Sequence, residues 1–273
     1  MNYMQIATTE NTIYTSPDAS KIFCYTPSIL VTPPGRLIVC FDLGGEGLKS
    51  IEGHKSSRAG GSRFGQGKIF ISDDNGQKWT FVQNFPFWHA RLFTIGNSIY
   101  LIGHAGDICI MKSEDNGESW SDTYFLTHGE KWHSSACNVL FSNGNEYLAM
   151  EQRCRLNEVT GWDVAGLSPT LFRACVEDNL CLASSWSRSE KFIYKEVFDG
   201  AKLDFFGIPF YDCETNKPKE IATGINNAPL GWLEANVVKF VDKDHTWHTD
   251  LKEVFHLFLR AHTGGVNYAH LFK

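Results

Sequence analysis

One ten-residue phrase is written twice in this chain, ISDDNGQKWT at 71–80 and MKSEDNGESW at 111–120. Both copies read Ser, any residue, Asp, any residue, Gly, two residues, Trp: Ser72, Asp74, Gly76 and Trp79, then Ser113, Asp115, Gly117 and Trp120. Each position has a physical reason. The Asp side chain bonds the backbone amides of a tight hairpin, the Gly takes its left-handed position, and the Trp packs under the turn. GKIFIS and DICIMKS are expected to run into the turns as strands, and KWTFVQ and SWSDTYF to leave them as strands.

From Ser72 to Ser113 is a step of 41 residues, and a self-similar period of about 40 to 45 residues is the length of one four-stranded propeller blade. Further strand pairs flank turn signals: SILVT and RLIVCFD across PPG, RLFTI and SIYLIG across GN, CNVLF and EYLAMEQ across SNGN. The pattern predicts an all-β chain, a β-propeller with roughly twenty strands and hence about five blades, or six. A length of 273 residues fits one such domain spanning 1–273. Aromatics make up 14% of the chain, which suits half-buried strands and sugar-facing pockets, and no helix-rich stretch stands out. Long inserts at 43–66 and 199–231 read as structureless loops of functional length.

The formal charge of −6, with Lys and Arg scattered, excludes the electrostatic footprint of a nucleic-acid partner. No apolar run is long enough for a membrane-spanning helix, so no membrane partner is expected. MNYMQIATTENTIYTS has no basic region followed by an apolar one, so the chain as written carries no export signal and is expected in the cytoplasm. Its eight cysteines include no C-x-x-C pair, and most are expected to be buried small hydrophobes in a reducing compartment. Histidines at 245, 248, 256 and 262 cluster in DHTWHTD…FHLFLRAH, but on a strand an i, i+3 pair points to opposite sides. Neither a metal nor another cofactor is expected.

The Ser-x-Asp-x-Gly-x-Thr-Trp pattern resembles the Asp box of the sialidase superfamily of β-propellers, with Lys78 and Ser119 at the Thr position. That resemblance implies that the two turns are structural hairpins away from the active site. YTPSILVTPPGRLIVCFD at 25–42 looks like the family's N-terminal Arg-Ile-Pro segment, with Tyr25 in place of the Arg. WLEANVVKFVDKDHTWHTDLKEVFHLFLRAH at 232–262 looks like the segment in which a catalytic Glu begins one strand and a substrate-binding Arg ends the next. Glu234 and Arg260 fall on those positions. The family's acid/base Asp lies in a loop before the first box, where RAGGSRFGQG offers Arg58, Arg63 and Gln66 and no carboxylate. The family's Tyr nucleophile and third Arg belong to later blades, which this chain, ending at YAHLFK, is expected to lack.

A second branch is also similar: WHARLF, WHSSACNVL, GWLEANVV and RAHTGG resemble propeller enzymes acting on acidic plant and algal polysaccharides, ulvan lyases and rhamnosidases that rely on His. The resulting expectation is a carbohydrate-active enzyme that hydrolyses a glycosidic bond next to an acidic sugar in an oligosaccharide or polysaccharide. A polysaccharide lyase acting by β-elimination and a non-catalytic glycan-binding propeller are the alternatives. Glu234, His133 and Tyr25 are the candidate catalytic groups, since a buried carboxyl, an imidazole and a phenol can each move a proton. Arg260 and Arg153 are expected to bind the substrate carboxylate, and His89, Trp88 and Trp232 to contact the sugar.

Overall fold

The computed structural model describes residues 10–57, 64–133, 138–153, 167–197, 220–222, 225–226, 231–239, 254–262 and 267–272. Its first sheet contains β1 (Phe23–Val31), β2 (Leu37–Gly44), β3 (Ser56–Ser57), β4 (Phe64–Ser72) and β5 (Thr80–Phe85). The second runs β6 (Trp88–Ile95), β7 (Ser98–Ala105), β8 (Asp107–Ser113), β9 (Tyr124–Phe125) in spatial order. A third comprises β10 (Trp132–His133), β11 (Val139–Ser142), β12 (Asn145–Arg153), β13 (Leu167–Cys175) and β14 (Trp186–Arg188). A two-stranded sheet of β15 (Glu220–Ala222) and β16 (Ile225–Asn226) follows. The last has β17 (Gly231–Val238), β18 (His256–His262) and β19 (Asn267–Phe272) in order. All the strand pairs whose register is given are antiparallel, as hairpins with short turns require.

Burial follows the sequence pattern. β2 (LIVCFDLG) and β7 (SIYLIGHA) are nearly continuous apolar runs and are covered on both faces, whereas β1 alternates exposed and half-buried residues. Two compact units are present, one of residues 1–105 and 110–123, the other of residues 106–109 and 124–273; the division falls inside β8. In the first unit Ile22, Val39, Phe41, Leu43, Leu48 and Phe70 form a core cluster. In the second, Ala149, Tyr194, Trp232, Ala235, Leu259 and Ala261 form another.

The two repeated turns are built alike. Ser72 Oγ donates to Asp74 Oδ1 (2.9 Å) and accepts from the Gly76 amide (2.9 Å), while Asp74 Oδ1 also accepts from the Lys78 amide (2.8 Å). Ser113, Asp115, Gly117 and the Ser119 amide reproduce these contacts at 2.9 Å each. Asn75 and Gly76, like Asn116 and Gly117, have positive φ, which is why the pair Asn-Gly occupies both turns. Arg36, from the β1–β2 hairpin, ties the copies together. Its guanidinium forks onto Asp73 (2.6 and 2.9 Å) and reaches the Asn116 carbonyl (3.2 Å) and Glu118 (3.1 Å). Both turns thus close on their own side chains and are joined through Arg36.

Three expectations change. SWSDTYF becomes a strand only at Tyr124–Phe125, because Ser121 pairs with Lys112 through its amide (2.8 Å) and its hydroxyl (3.0 Å) in place of a regular ladder. The insert at 43–66 is not structureless. A 3-10 turn at Glu46–Ser50 buries Leu48, and β3 pairs with β4; residues 58–63, with Arg58 and Arg63, lie outside the described residues. Of the insert at 199–231, the described part is β15, β16 and the start of β17. Cys40, Cys109 and Cys181 are buried and Cys175 half-buried, whereas Cys24 is exposed; Cys137, Cys154 and Cys213 lie outside the described residues.

Ser113 and Ser72 are buried, and an Ala at either position leaves a turn amide unsatisfied. Ser113→Ala is expected to lower unfolding stability by about 1–3 kcal/mol, and Ser72→Ala by a similar amount, measured by urea denaturation.

Candidate functional site

Six non-glycine residues have positive φ among the described residues. Three are the turn asparagines Asn75, Asn116 and Asn143; the others are Thr26 (46°), His89 (52°) and Glu234 (56°). Those three occupy one structural position. In β1 the register passes from Tyr25 opposite Asp42 to Ser28 opposite Cys40, in β6 from Trp88 opposite His104 to Arg91 opposite Ile102, and in β17 from Leu233 opposite Arg260 to Asn236 opposite Phe258. Each shift inserts one residue, a β-bulge, and each bulge has the first of its two residues in the left-handed region. The first strand of three sheets is thus kinked in the same way.

A left-handed backbone at a residue other than glycine costs about 1–3 kcal/mol and persists where its surroundings enforce it. Buried carboxyl groups do so here. In the first unit Asp42, fully buried on β2, accepts from the Thr26 hydroxyl (2.7 Å) and from the His89 amide through Oδ2. In the second, Glu151, buried on β12, accepts from the Ala235 amide through Oε1 (3.3 Å) and faces His133 Nδ1 at 3.7 Å through Oε2. Each acid contacts one polar side chain on the first strand of its own sheet and the bulge amides of another sheet.

A second bond accompanies each clamp. Ser28 Oγ accepts from the Leu92 amide (3.1 Å) between β1 and β6. Asn138, beside β11, accepts from the Val237 amide (2.9 Å) and donates to the Val237 carbonyl (2.7 Å). Leu92 and Val237 stand three residues after their left-handed bulge residues, so each bulge is held at both ends.

Four sheets in this way present a polar pair between their first and second strands. Thr26 meets Asp42, and His89 Nδ1 lies 3.1 Å from His104 Nε2. His133 meets Glu151, and Glu234 Oε1 lies 3.0 Å from Arg260 Nη2. The Glu234 and Arg260 side chains are 43% and 33% exposed, so a ligand can reach both. Burial pushes Asp42 up to about 7, against the lowering pull of Thr26 and the His89 and Ala90 amides. It raises Glu151 well above the usual range too; the Ala235 amide opposes that, and the neighbouring Glu234 charge adds to it.

The expected site residues divide accordingly. Glu234, Arg260 and His133 come together around Glu151 in the second unit. Arg153 ends β12 opposite Leu167, and its side chain lies outside the described residues. Trp232, expected at the sugar, is instead a core residue. It is fully buried, with Phe192 stacked at 5.5 Å and Tyr194 at 4.7 Å, because the bulge after it turns Glu234 and not Trp232 outward. In the first unit Trp88 lies against Gly44 and Gly65, whose hydrogens admit the ring where a Cβ would strike it. Tyr25 is 44% exposed beside Phe23, and the His89 ring turns to His104. Among the described residues no group of three or more His, Cys, Asp or Glu is placed to hold a metal. His245 and His248 lie outside the described residues, as does the His262 side chain; His256 is buried.

Asp42, His104, Glu151 and Thr26 were not anticipated. A sequence signal existed for three of them: each is a polar group ending an otherwise apolar run, LIVCFD, IYLIGH and YLAME, and charged groups are rarely buried without partners.

No protein-family model matches this chain, and no curated protein matches it in sequence. Among solved structures it is similar to an α-L-arabinofuranosidase from Lactobacillus brevis, with a TM-score of 0.52 at 14% identity over 94% of this chain and 76% of that one. It also matches the catalytic domain of a GH62 α-L-arabinofuranosidase from Coprinopsis cinerea (TM-score 0.47, 13% identity, 95% of this chain and 67% of that one). A third match is the NanB sialidase of Streptococcus pneumoniae (TM-score 0.43, 16% identity, 90% of this chain and 29% of that one). The first likeness is one of fold alone, all-β and of the β-propeller type.

Asp42 holds its proton more tightly when folded than a carboxyl does in an unfolded chain, so its contribution to stability is complete at low pH. It fades as pH rises from about 4 through about 7. The difference in unfolding free energy between wild type and Asp42→Asn, measured by urea titration across that range, is expected to shift against the wild type with rising pH.

Proposed function

We propose that this chain is a carbohydrate-active enzyme that hydrolyses a glycosidic bond next to an acidic sugar, on a single sialidase-like propeller domain. The observation that carries the reading is the reachable Glu234–Arg260 pair at 3.0 Å, with His133 and the buried Glu151 beside it. A guanidinium fork matches a carboxylate, so a uronate-type carboxylate competes with Glu234 for Arg260. Binding then releases Glu234 from its partner at the place where the sugar sits. Hydrolysis needs a proton delivered to the leaving oxygen and another taken from water, and Glu234 and His133 are the two proton carriers available there. Arg153 is assigned as a second contact to the sugar carboxylate. Tyr25 and His89 belong to the other unit, and this reading gives them no step.

The glycosidase-type fold supports the reaction class, and the Glu–Arg pair supports the acidic substrate. Incubation with uronate-containing glycans is expected to release reducing ends. Glu234→Gln is expected to lower kcat by about 100- to 10,000-fold while glycan binding is retained. Arg260→Lys is expected to weaken binding by about 10-fold or more, since it keeps the charge and loses the fork. Absorbance of an unsaturated uronate in the products would replace hydrolysis with elimination. Binding unaffected by Glu234→Gln with no product from any acidic glycan would leave a glycan-binding module.

A further inference from the structure

The Glu151 carboxyl touches no solvent, yet it lies behind the one half-exposed carboxylate of the candidate site. We propose that Glu151 is a positioning residue, which fixes the left-handed bulge of β17 and through it aims the Glu234 side chain at Arg260. The inference rests on the reading of Glu234 as a proton carrier.

Three observations lead to it. The first is local. Glu234 has φ 56°, and the amide that follows it in the bulge, that of Ala235, donates to Glu151 Oε1 at 3.3 Å. A glutamate in that conformation needs an outside acceptor to hold it.

The second is recurrence. In the first unit Asp42 accepts from the amide of His89, whose φ is 52°, and the His89 side chain meets His104 at 3.1 Å. His104 faces Trp88, the residue before the bulge; Arg260 likewise faces Leu233, the residue before its bulge. The same construction twice gives one rule: a buried acid on a second strand holds the bulge of another sheet's first strand, and the side chain at the bulge turns onto its own sheet's second strand.

The third is cost. A buried carboxyl is expensive compared with an apolar residue of its size, and where packing alone is needed the apolar residue serves better. On β12 the neighbours Leu148, Ala149 and Met150 are the apolar residues such a strand uses. An acid at 151 is explained by what it accepts.

The test uses Glu151→Gln and Glu151→Leu in the full chain. Gln keeps an oxygen for the Ala235 amide, whereas Leu fills the space and offers none. Amide hydrogen exchange at Glu234 and Ala235 is read alongside kcat and KM on a uronate-containing glycan. Gln is expected to keep both amides protected and kcat within about 3-fold of wild type; Leu is expected to expose them and lower kcat by about 100-fold, with KM within about 3-fold. Equal losses in the two variants, or amides still protected in the Leu variant, would overturn the proposal. If the Leu variant does not fold, Glu151→Asp, which withdraws the acceptor by one methylene, takes its place with the same expected contrast to Gln. A wild-type protein inactive on every acidic glycan would remove the enzymatic reading alone, because the exchange arm still decides whether Glu151 holds the bulge.

Discussion

A carboxyl group withdrawn from water and facing the amide of a left-handed bulge is the contact on which the rest of this structure depends. Each half of it is unfavourable alone. The bulge residues Thr26, His89 and Glu234 sit where side chains crowd the backbone, and Asp42 and Glu151 sit where charge is poorly solvated. Together the amides supply the donors the acids lack, and the acids supply the acceptors the kinked strands lack. That mutual requirement is what makes a strained backbone reproducible in two separate compact units.

Around these contacts the repeated turns act as the rigid periphery. Arg36 is mostly buried and spends its whole guanidinium on Asp73, Asn116 and Glu118, one ligand set from each copy of the turn. Losing either copy would leave a cation with half its partners, so the two hairpins are energetically coupled and not independent. The duplication in the sequence is the outward sign of that coupling.

How far the sequence reveals the fold and the site depends on the range of the interactions involved. Strands and turns depend on neighbours in the chain, so PPG, GN and SNGN mark hairpins that the structure places at β1–β2, β6–β7 and β11–β12. SWSDTYF misleads because a hydroxyl can take over a ladder position, which no periodicity reports. Glu234, Arg260 and His133 are legible as residue types, and the pairing of the first two follows from strands that are consecutive. Glu151 is legible only as an acid ending an apolar run; its role is not, because that comes from an amide 84 positions away. Trp232 misleads for the opposite reason: one residue of slip at the bulge exchanges which neighbour faces inward.

The kinks have one more effect, on the strands that carry them. Among the described residues β1 ends the strand order of its sheet, a position where a foreign chain can lay its own backbone, and it bears exposed Ile29 and Val31. The bulge breaks the flat run of donors and acceptors just before those residues, and Pro27, inside it, has no N–H to offer. A kink of the kind that aims Glu234 on β17 thereby interrupts, on β1, the regular backbone that edge-to-edge pairing needs.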